Sequence, residues 1–519
     1  MCEELNSNKG RIKILSDLVP TGDISRDKKI IPIIIQNTMQ IHNKNVEKMK
    51  VLENYYYNIT NIENKTKTTR NDINNKFSID YPSIAVTTIN AYCFANPLSI
   101  STRNAKMSKE IKQLKDCLDD DNYYSKSNDM YLQSGIKGLG YKYIVPATAE
   151  ECKNGIYFHT YSNFKPENTY CIYENDSIQD KIMAVNFYKK TIYGKDYSEQ
   201  KEITVYDVWT KYHKWRFTDK NNGKLTNDKF SISDSGKVIK EVDALKIVSG
   251  KIPVIENIRK SDRTCDFELA LNLNDAINAL ASYRLDVVEQ NVDALFVLRD
   301  IDVWSDGALE NVKKAIKDGI LAFKSVSNAV VQPNVDVLDI KLNQSEIQTL
   351  QNFLCEKLEE VLHIPNRETR SSGGDTGVAV ESRNGFRSLE NIAGLVSSKA
   401  KESENEAISI ILSICKNIDS CPFKNLSTKD IEIKENRNKI ENMVNSATTY
   451  STLRSAGLND NTALEVSRLV NDTESVAQMN KSESEQRELK IAGQLQKLPN
   501  VDKNTDKINN GSNSRDADE

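Results

Sequence analysis

DFELALNLNDAINALASYRLDVVEQNVDAL, residues 266–295, is the stretch of sequence that decides the fold. Apolar side chains recur along it at helical spacing, and we predict that six of them face inward: Leu269, Leu273, Ile277, Leu280, Tyr283 and Val287. At 1.5 Å per residue this helix is a rod of roughly 45 Å, more than twice the mean helix of a globular domain. Such a rod needs a second long element beside it to cover its apolar side.

A second rod is predicted at residues 345–364. Its inward stripe consists of Ile347, Leu350, Leu354, Leu358 and Val361. Between the two rods, residues 296–342 contain strand-like runs at 296–298 and 335–340 around a short helix at 308–315. The sequence therefore predicts two long helices that flank one compact insert.

The chain outside the rods is helical at both ends and β-rich in the middle. Apolar periodicity predicts helices at residues 43–57, 83–92, 104–135, 378–417 and 436–491. Aromatic and β-branched runs between residues 141 and 217 are separated by turn residues, which predicts an antiparallel sheet, and a further strand is predicted at 429–434. Beyond Pro499 almost no apolar residue remains, so we expect a disordered tail. The fold class predicted is α+β, mainly helical.

Composition excludes several classes of protein. The 70 basic and 74 acidic residues give a net charge of -4, unlike proteins that hold nucleic acid by neutralising its phosphates. The nine cysteines are scattered and contain no Cys-x-x-Cys pair, which indicates a reduced, intracellular chain. Since no apolar run has membrane-spanning length, we expect a protein that is neither secreted nor inserted in a membrane.

Catalytic and cofactor motifs are absent from the sequence. It has no phosphate-binding glycine loop, no dinucleotide fingerprint, no His-Glu-x-x-His and no Gly-x-Ser-x-Gly, and we expect no cofactor and no enzymatic activity. Asp300 and Asp302, with Glu310, could hold a metal in a nuclease, or they could form a polar turn at the end of the first rod. A nuclease therefore stays open as an alternative.

Four local motifs resemble the portal proteins of tailed double-stranded DNA bacteriophages, siphovirus-type portals in particular. The first is NNKF at 74–77 followed by TINAYCFANP at 88–97, in which Ala95 replaces the family's usual glycine. The others are DFE at 266–268 leading into LNDAIN at 273–278, GGDTGVAV at 373–380, and SAGL at 455–458. These motifs lie in the order in which the portal family presents them.

The resemblance implies a portal fold, with an antiparallel β-rich wing and two long stem helices. It divides the chain into an N-terminal arm at 1–42, a wing at 43–264, a first stem helix at 265–295, a small α/β clip at 296–342, a second stem helix at 343–364, a tunnel loop at 365–375, a long helix and strand of the wing at 376–435, a helical crown at 436–492 and a disordered tail at 493–519.

The function implied by the resemblance is structural. Portal proteins form a ring, usually a dodecamer, at one capsid vertex, and double-stranded DNA enters and leaves the capsid through its channel. The implied partners are the terminase large subunit, head-completion or adaptor proteins, and the major capsid and scaffolding proteins. The implied location is the virion, after assembly in the host cytoplasm. Another capsid or baseplate structural protein without a channel is the second alternative.

Three sets of residues are candidates for that function. The first rod carries six acids against one base, Arg284, and an acidic lining would let DNA slide: Asp266, Glu268, Asp275, Asp286, Glu289 and Asp293. Alternatively, these acids form a solvated face. The tunnel loop would touch phosphate through two arginines within a flexible segment, or it would be a surface turn with no ligand: Arg367, Arg370, Ser371, Ser372, Gly373, Gly374 and Asp375. In the clip, Trp304, Asp306 and Leu309 would contact partner proteins, unless the aromatic side chain belongs to the clip's own core.

Overall fold

The computed structural model describes most of the chain before residue 293 and a smaller part after it. The described residues are 9–68, 71–103, 105–193, 200–221, 224–234, 237–292, 296–299, 310, 334–337, 344–365, 386–437, 443–467, 469–470 and 473–495. They form two compact units, Met1–Asn438 and Lys439–Glu519. Helices outweigh strands, which confirms the predicted α+β class.

The first unit contains the long helices. In chain order they are α1 (Ile24–Tyr56), α2 (Tyr81–Phe94), α3 (Ser108–Asp120), α4 (Tyr123–Lys137), α5 (Ala149–Lys153), α6 (Leu271–Val292), α7 (Gln344–Val361) and α8 (Phe386–Cys415). The two predicted rods are thus α6, preceded by a 3-10 turn at Glu268–Ala270, and α7. Helix α1 begins well before the predicted start at residue 43, because Asp23 caps it by accepting the Ser25 backbone N–H.

The strands of the first unit are short except in the middle of the chain. They are β1 (Leu15–Ser16), β2 (Ser99–Thr102), β3 (Leu139–Pro146), β4 (Phe158–Tyr161), β5 (Thr169–Glu174), β6 (Lys181–Tyr193), β7 (Gln200–Thr210), β8 (His213–Asn221), β9 (Lys224–Asn227), β10 (Phe230–Asp234), β11 (Lys237–Val242), β12 (Ala244–Lys246), β13 (Val254–Ile258), β14 (Phe296–Arg299), β15 (Asn334–Val337) and β16 (Ile431–Lys434). Apart from Glu310, the predicted short helix at 308–315 lies outside the described residues, and so does the predicted tail at 493–519 except for residues 493–495, which are helical.

The predicted antiparallel region is the main sheet. Its seven strands follow the order β1-β5-β6-β7-β8-β12, with β9 paired to β8, and every pairing except the parallel β1–β5 pair is antiparallel. Helix α1 packs Ile31, Ile34 and Ile35 on the inner face of this sheet, against Trp215 and Phe217. Where β5 to β7 lie in the body, the sheet buries apolar residues on both faces, with Tyr170 and Ile172 towards α1 and with Cys171, Ala184 and Trp209 towards β3 and β13.

A second layer connects the sheet to the rods. The three-stranded sheet β13-β3-β4 packs α4 and α8 on one face, where Lys142 and Asn257 each bond to both helices, and its other face packs on the main sheet. Strand β13 ends at Ile258, and twelve residues separate it from α6, which begins at Leu271. The core around α6 and α7 includes Ile277, Leu358 and Leu362, which pack with residues of α1 and α2. The rods are therefore anchored at one end in the body of the first unit.

The second unit is a group of three helices. These are α9 (Met443–Ser455), α10 (Asp460–Ser467) and α11 (Thr473–Leu495). Asp460 joins all three, because its carboxylate accepts hydrogen bonds from the Tyr450 hydroxyl at 2.5 Å and from Asn480 Nδ2 at 2.8 Å. The hydrogen bond from Tyr450 lowers the pKa of this carboxyl, although burial opposes the shift.

Membrane insertion finds no support in the helices. Among the residues that the structure describes, no helix combines the length and the hydropathy that a membrane span requires.

Two glycines with the same backbone conformation provide a test of the packing at the end of α4. Gly138 has φ +84°, and a Cβ there would lie 2.3 Å from the Arg263 carbonyl oxygen, whereas Gly155 has φ +87° with nothing within 4 Å. We expect Gly155→Ala to cost about 1–2 kcal/mol of unfolding free energy, from the left-handed backbone alone. Gly138→Ala should cost about 3 kcal/mol or more, because the Arg263 segment must also move. Denaturant titration measures both values, and equal losses would contradict the packing described.

Candidate functional site

The first rod leaves the body of the protein through a turn held by buried charges. Arg259, just after β13, binds Asp266 with two parallel hydrogen bonds, Nε to Oδ1 at 2.8 Å and Nη2 to Oδ2 at 2.6 Å. Both side chains are fully buried. A bidentate pair of this kind fixes the relative position of the two backbone segments as well as their charges. It therefore ties the start of the rod to the end of β13.

A second buried pair crosses the same turn. Arg263 Nη2 donates to Glu256 Oε2 at 3.0 Å, and the Tyr141 hydroxyl donates to Glu256 Oε1 at 2.8 Å. Tyr173 donates a further hydrogen bond to this carboxylate. Burial by itself would raise the pKa of Glu256, but the charge of Arg263 and the two tyrosine hydroxyls outweigh it and lower the pKa. The carboxylate is thus held in its ionised form inside the protein.

The N-terminal segment completes the turn. The carboxylate of Glu268 pairs with Arg11, accepts the Gly10 backbone N–H at 2.9 Å, and accepts the Cys265 backbone N–H at 3.3 Å. Arg11 also donates from Nη1 to the Lys137 carbonyl at 3.0 Å. Residues 9–16 are therefore built into the body of the protein.

Asp266 and Glu268 were predicted to line a channel, and the structure corrects this. Their side chains are at most 1% exposed, and each is neutralised by an arginine of the same chain. A buried, paired carboxylate presents no charge to DNA. These two acids instead fix the direction in which the rod leaves the body.

A hairpin formed by residues 59–79 covers one side of α6; we name it the cover hairpin, and its residues 69–70 are outside the described set. Its two limbs are joined by hydrogen bonds to backbone carbonyls. Lys65 Nζ donates to the Asn75 oxygen at 3.0 Å, and Asn74 Nδ2 donates to the Lys65 oxygen at 3.1 Å. Apart from a short 3-10 helix at Asn61–Asn64, the hairpin has no regular secondary structure in its described part.

The returning limb of the cover hairpin binds a polar stripe on α6. Three residues of α6, each four positions after the last, accept the backbone N–H groups of every second residue of this limb. Asn278 Oδ1 accepts from Ile79 at 3.0 Å, Ser282 Oγ from Phe77 at 2.8 Å, and Asp286 Oδ1 from Asn75 at 2.7 Å. The extended limb therefore has its backbone donors satisfied by helix side chains instead of by a neighbouring strand.

Asp286 is the centre of this contact. Lys65 Nζ lies 2.6 Å from Asp286 Oδ2, both side chains are 5% exposed, and Lys67 Nζ lies 3.4 Å from the same oxygen. Burial alone would raise the pKa of Asp286, but hydrogen bonds from Lys65 and Asn75 outweigh it and lower the pKa. Asp286 was also predicted to line the channel, and the structure corrects this prediction too. Its charge is paired with Lys65 of the same chain.

The remaining predicted acids of the first rod differ from one another. Asp275 Oδ2 accepts from the Tyr55 hydroxyl at 2.7 Å and from Asn61 Nδ2 at 2.9 Å, so it too contacts its own chain. Glu289 is exposed and accepts from Asn75 Nδ2 at 2.6 Å. Asp293 lies outside the described residues. Glu289 is therefore the one predicted acid whose described side chain faces solvent.

The apolar stripe predicted for α6 also needs correction. Leu269 and Tyr283 were expected to face inward, yet they are 54% and 55% exposed. Ile277 is buried as predicted, and a polar stripe beside it is buried as well, because the cover hairpin occupies that side: Asn274, Asn278, Ser282 and Asp286. Sequence reasoning missed this, although polar residues at a spacing of four are a signal that a helix binds an extended segment.

Helix α7 exposes both apolar and acidic side chains. Contrary to prediction, Leu350 and Val361 are 49% and 44% exposed, and Phe353 is 52% exposed, whereas Leu358 is buried as expected. Exposed carboxylates on the same helix are Glu346, Glu356 and Glu360. Arg284 of α6 donates to Gln348 of α7 at 2.8 Å and holds the two rods together.

The other predicted site residues lie outside the described part of the chain. These are Trp304, Asp306 and Leu309 of the clip, and Arg367, Arg370, Ser371, Ser372, Gly373, Gly374 and Asp375 of the tunnel loop. Of the alternative metal ligands, only Glu310 is described, and it is exposed. Within the described ranges, His, Cys, Asp and Glu form no group of three that could hold a metal ion.

Replacing Asp286 tests the role of the cover hairpin. Asp286→Asn leaves the buried Lys65 without a counter-charge, so we expect a loss of about 3–5 kcal/mol in unfolding free energy. The backbone N–H groups of Asn75 and Phe77 should also exchange with deuterium much faster. Glu289→Gln, an exposed neighbour on the same stripe, should change neither quantity, and similar effects of both substitutions would contradict the assignment.

The same pair predicts a pH dependence. Because the folded protein lowers the pKa of Asp286, the stabilisation is complete above the ordinary aspartate pKa of about 3.9. It is lost as the pH falls through the lowered value. Hydrogen exchange at Asn75 should therefore stay slow from neutral pH down to about pH 4 and accelerate below it beyond the intrinsic pH effect.

Comparison with known proteins places this architecture in a family. The family described as phage portal protein, SPP1 Gp6-like, matches residues 35–489, which is most of the chain and includes both rods and the cover hairpin. No curated protein matches the sequence with significant similarity. The chain belongs to the phage portal protein family, and it is accordingly a structural protein of bacteriophage genome packaging.

Proposed function

We propose that this protein forms a closed ring at one capsid vertex, and that double-stranded DNA enters and leaves the capsid through the centre of the ring. The observation that carries the proposal is the family match over residues 35–489, on a chain whose paired rods present exposed apolar side chains. A soluble monomer rarely leaves such a surface exposed on two packed helices. In a closed ring, a neighbouring subunit covers this apolar surface on every subunit.

The contact between neighbouring subunits is proposed on the exposed side of α6 and α7. Seven large apolar residues supply it: Leu269, Tyr283, Leu285, Val288, Leu350, Phe353 and Val361. The cover hairpin leaves these residues exposed, Tyr283 included, although Lys65 Nζ of the hairpin lies 4.6 Å from the centroid of the Tyr283 ring. Packing between rods of successive subunits would remove them from water, at roughly 25 cal/mol for each Å² buried.

The acidic channel surface is proposed on α7 in place of α6, along the border of the proposed subunit contact, because Glu346 and Glu360 lie four and seven residues from Leu350 and Phe353 on the same helix face. Glu346, Glu356 and Glu360 are exposed, and Lys357 pairs with Glu360 at 2.6 Å. Repeated around a ring, these carboxylates repel the phosphates of a duplex, which carries one charge per 1.7 Å. Such a lining lets DNA move without binding it. Glu289 of α6 is exposed and is proposed to add to the same surface.

The tunnel loop and the clip keep the roles that the resemblance implies. We assign transient phosphate contact to Arg367 and Arg370, and assign docking of the terminase large subunit and head-completion proteins to the surface around Trp304, Asp306 and Leu309. The capsid and scaffolding proteins would surround the ring at the vertex. Assembly would take place in the host cytoplasm before the portal becomes part of the virion.

Assembly tests the proposed subunit contact. We expect Phe353→Lys to prevent ring formation while leaving the helical content unchanged, because a charge cannot be buried between apolar rods. Ile178→Lys changes a side chain that is even more exposed, at 73%, in the turn between β5 and β6, and should still form rings. Native mass measurement should give a closed ring, near a dodecamer, for the unchanged protein and for Ile178→Lys. Rings of Phe353→Lys would contradict the proposed contact.

Charge reversal tests the tunnel loop. The double variant Arg367→Glu, Arg370→Glu should assemble normally but package or retain less DNA, since two phosphate contacts per subunit become repulsive. The variant with lysine at both positions keeps the charge and should behave like the unchanged protein. Packaging and retention that are unaffected by charge reversal would remove the phosphate contact from the account.

A further inference from the structure

The second rod ends in a turn of defined geometry. After α7, the His363 backbone N–H donates to the Glu360 oxygen at 3.2 Å. The next N–H, that of Ile364, reaches back further and donates to the Glu359 oxygen at 2.9 Å. These two crossed hydrogen bonds are the Schellman motif, which places the residue after the helix cap in the left-handed conformation. That residue is His363.

Histidine is an unfavourable choice for this position. His363 has φ +57°, a conformation in which a Cβ crowds the backbone, so glycine is the usual residue there. The end of α4 follows the usual rule with Gly138, at φ +84°. A histidine that is kept at a place better suited to glycine indicates that its side chain has a role.

The side chain of His363 joins α7 to the start of α8. Its Nδ1 lies 2.7 Å from the Ser388 hydroxyl oxygen, which is hydrogen-bond distance, and the ring is half-buried. Ser388 is the third residue of α8, so the bond links the last turn of one long helix to the first turn of the next. We name this contact the helix latch.

The imidazole of the helix latch is uncharged at neutral pH. Burial lowers the pKa of His363, the charge of Lys260 lowers it further, and the charge of Asp266 opposes both effects. A neutral ring needs no counter-charge at the junction. The helix latch therefore forms with the Ser388 hydroxyl alone as its partner.

The position of the helix latch along the chain gives it a consequence for the tunnel loop. Arg367 and Arg370 both lie between His363 and Ser388 in the sequence. A hydrogen bond between the two ends of a chain segment restricts the positions that residues within the segment can reach. The helix latch therefore limits where both arginines can lie relative to α7 and α8.

We propose that His363 is a positioning residue, whose hydrogen bond to Ser388 fixes the end of the second rod on α8 and so sets where the tunnel loop meets DNA. The inference rests on the proposed function, in which Arg367 and Arg370 contact phosphate. His363 itself acts through these arginines and not on DNA. Both partners of the helix latch are needed, since either one alone leaves the two helix ends unconnected.

Hydrogen exchange on the purified full-length protein tests the helix latch. Ser388→Ala removes the hydroxyl, and we expect the backbone N–H groups at 390–392, in the first bonded turn of α8, to exchange about two- to tenfold faster. Alanine by itself favours a helix, so faster exchange reports the lost bond. Ser388→Thr keeps a hydroxyl and should restore the slow rate. Unchanged exchange in Ser388→Ala would remove the helix latch from the account.

The variant His363→Gly separates the helix latch from simple capping of α7. Glycine suits the left-handed position, so the Ile364 N–H should stay protected, whereas residues 390–392 should exchange as fast as in Ser388→Ala. The double variant should add nothing further, because both changes break the same bond. Slow exchange at 390–392 in His363→Gly, or effects of the two changes that add, would show that His363 only ends the helix.

DNA retention in capsids that carry the variant portal tests the positioning role. Ser388→Ala should lower retention, as charge reversal of Arg367 and Arg370 does, and Ser388→Thr should retain DNA normally. Retention that falls on charge reversal but not in Ser388→Ala would overturn the positioning role. If charge reversal itself has no effect, the phosphate contact in the proposed function is wrong, and hydrogen exchange still tests the bond between His363 and Ser388.

Discussion

Three ion pairs without access to water hold the turn between β13 and α6, and the arrangement of the stem depends on them. Arg259 holds Asp266, Arg263 holds Glu256, and Arg11 holds Glu268. Burying a charge costs free energy that an ion pair recovers only in good geometry, so such pairs restrict the backbone to one arrangement more than they add stability. Here they set the position and direction of the first rod. They also recruit the N-terminal segment, which is more than 200 residues away in sequence.

Once α6 is fixed, the side that carries Asn278, Ser282 and Asp286 faces the body of its own chain, and the cover hairpin fills the space beside it. The hairpin lacks a partner strand, so its backbone donors need acceptors, and the helix provides them at intervals of four residues. The carboxylates of Asp275 and Asp286 on α6 are therefore bound by groups of the same subunit. Among the described residues of the rods, those that remain for contacts with other molecules are the exposed apolar residues of both rods, the carboxylates of α7 and Glu289 of α6.

The sequence was sufficient to predict the elements and their order, because periodicity depends on local side-chain spacing. The two rods, the antiparallel sheet and the long helix α8 all follow from it. Which side of each rod is buried and which is exposed could not be predicted from this periodicity. Leu269 and Tyr283 look like core residues by spacing, and Asp266 and Asp286 look like a solvated acidic face; the outcome was the reverse, because it is decided by Arg259 and by Lys65 of the cover hairpin. Arg259 and Asp266 are seven positions apart but pair across a turn, and Lys65 and Asp286 are 221 positions apart, so neither contact leaves a periodic pattern in a single sequence.

An electron cryomicroscopy reconstruction of the purified ring tests the central claim most directly, because it locates the sides of both rods at once. The account predicts a central opening lined by Glu346, Glu356 and Glu360, with the cover hairpin packed on α6 away from that opening and Asp286 paired with Lys65. A particle without an opening, or one in which Asp286 faces the lumen and the hairpin has left the rod, would contradict it.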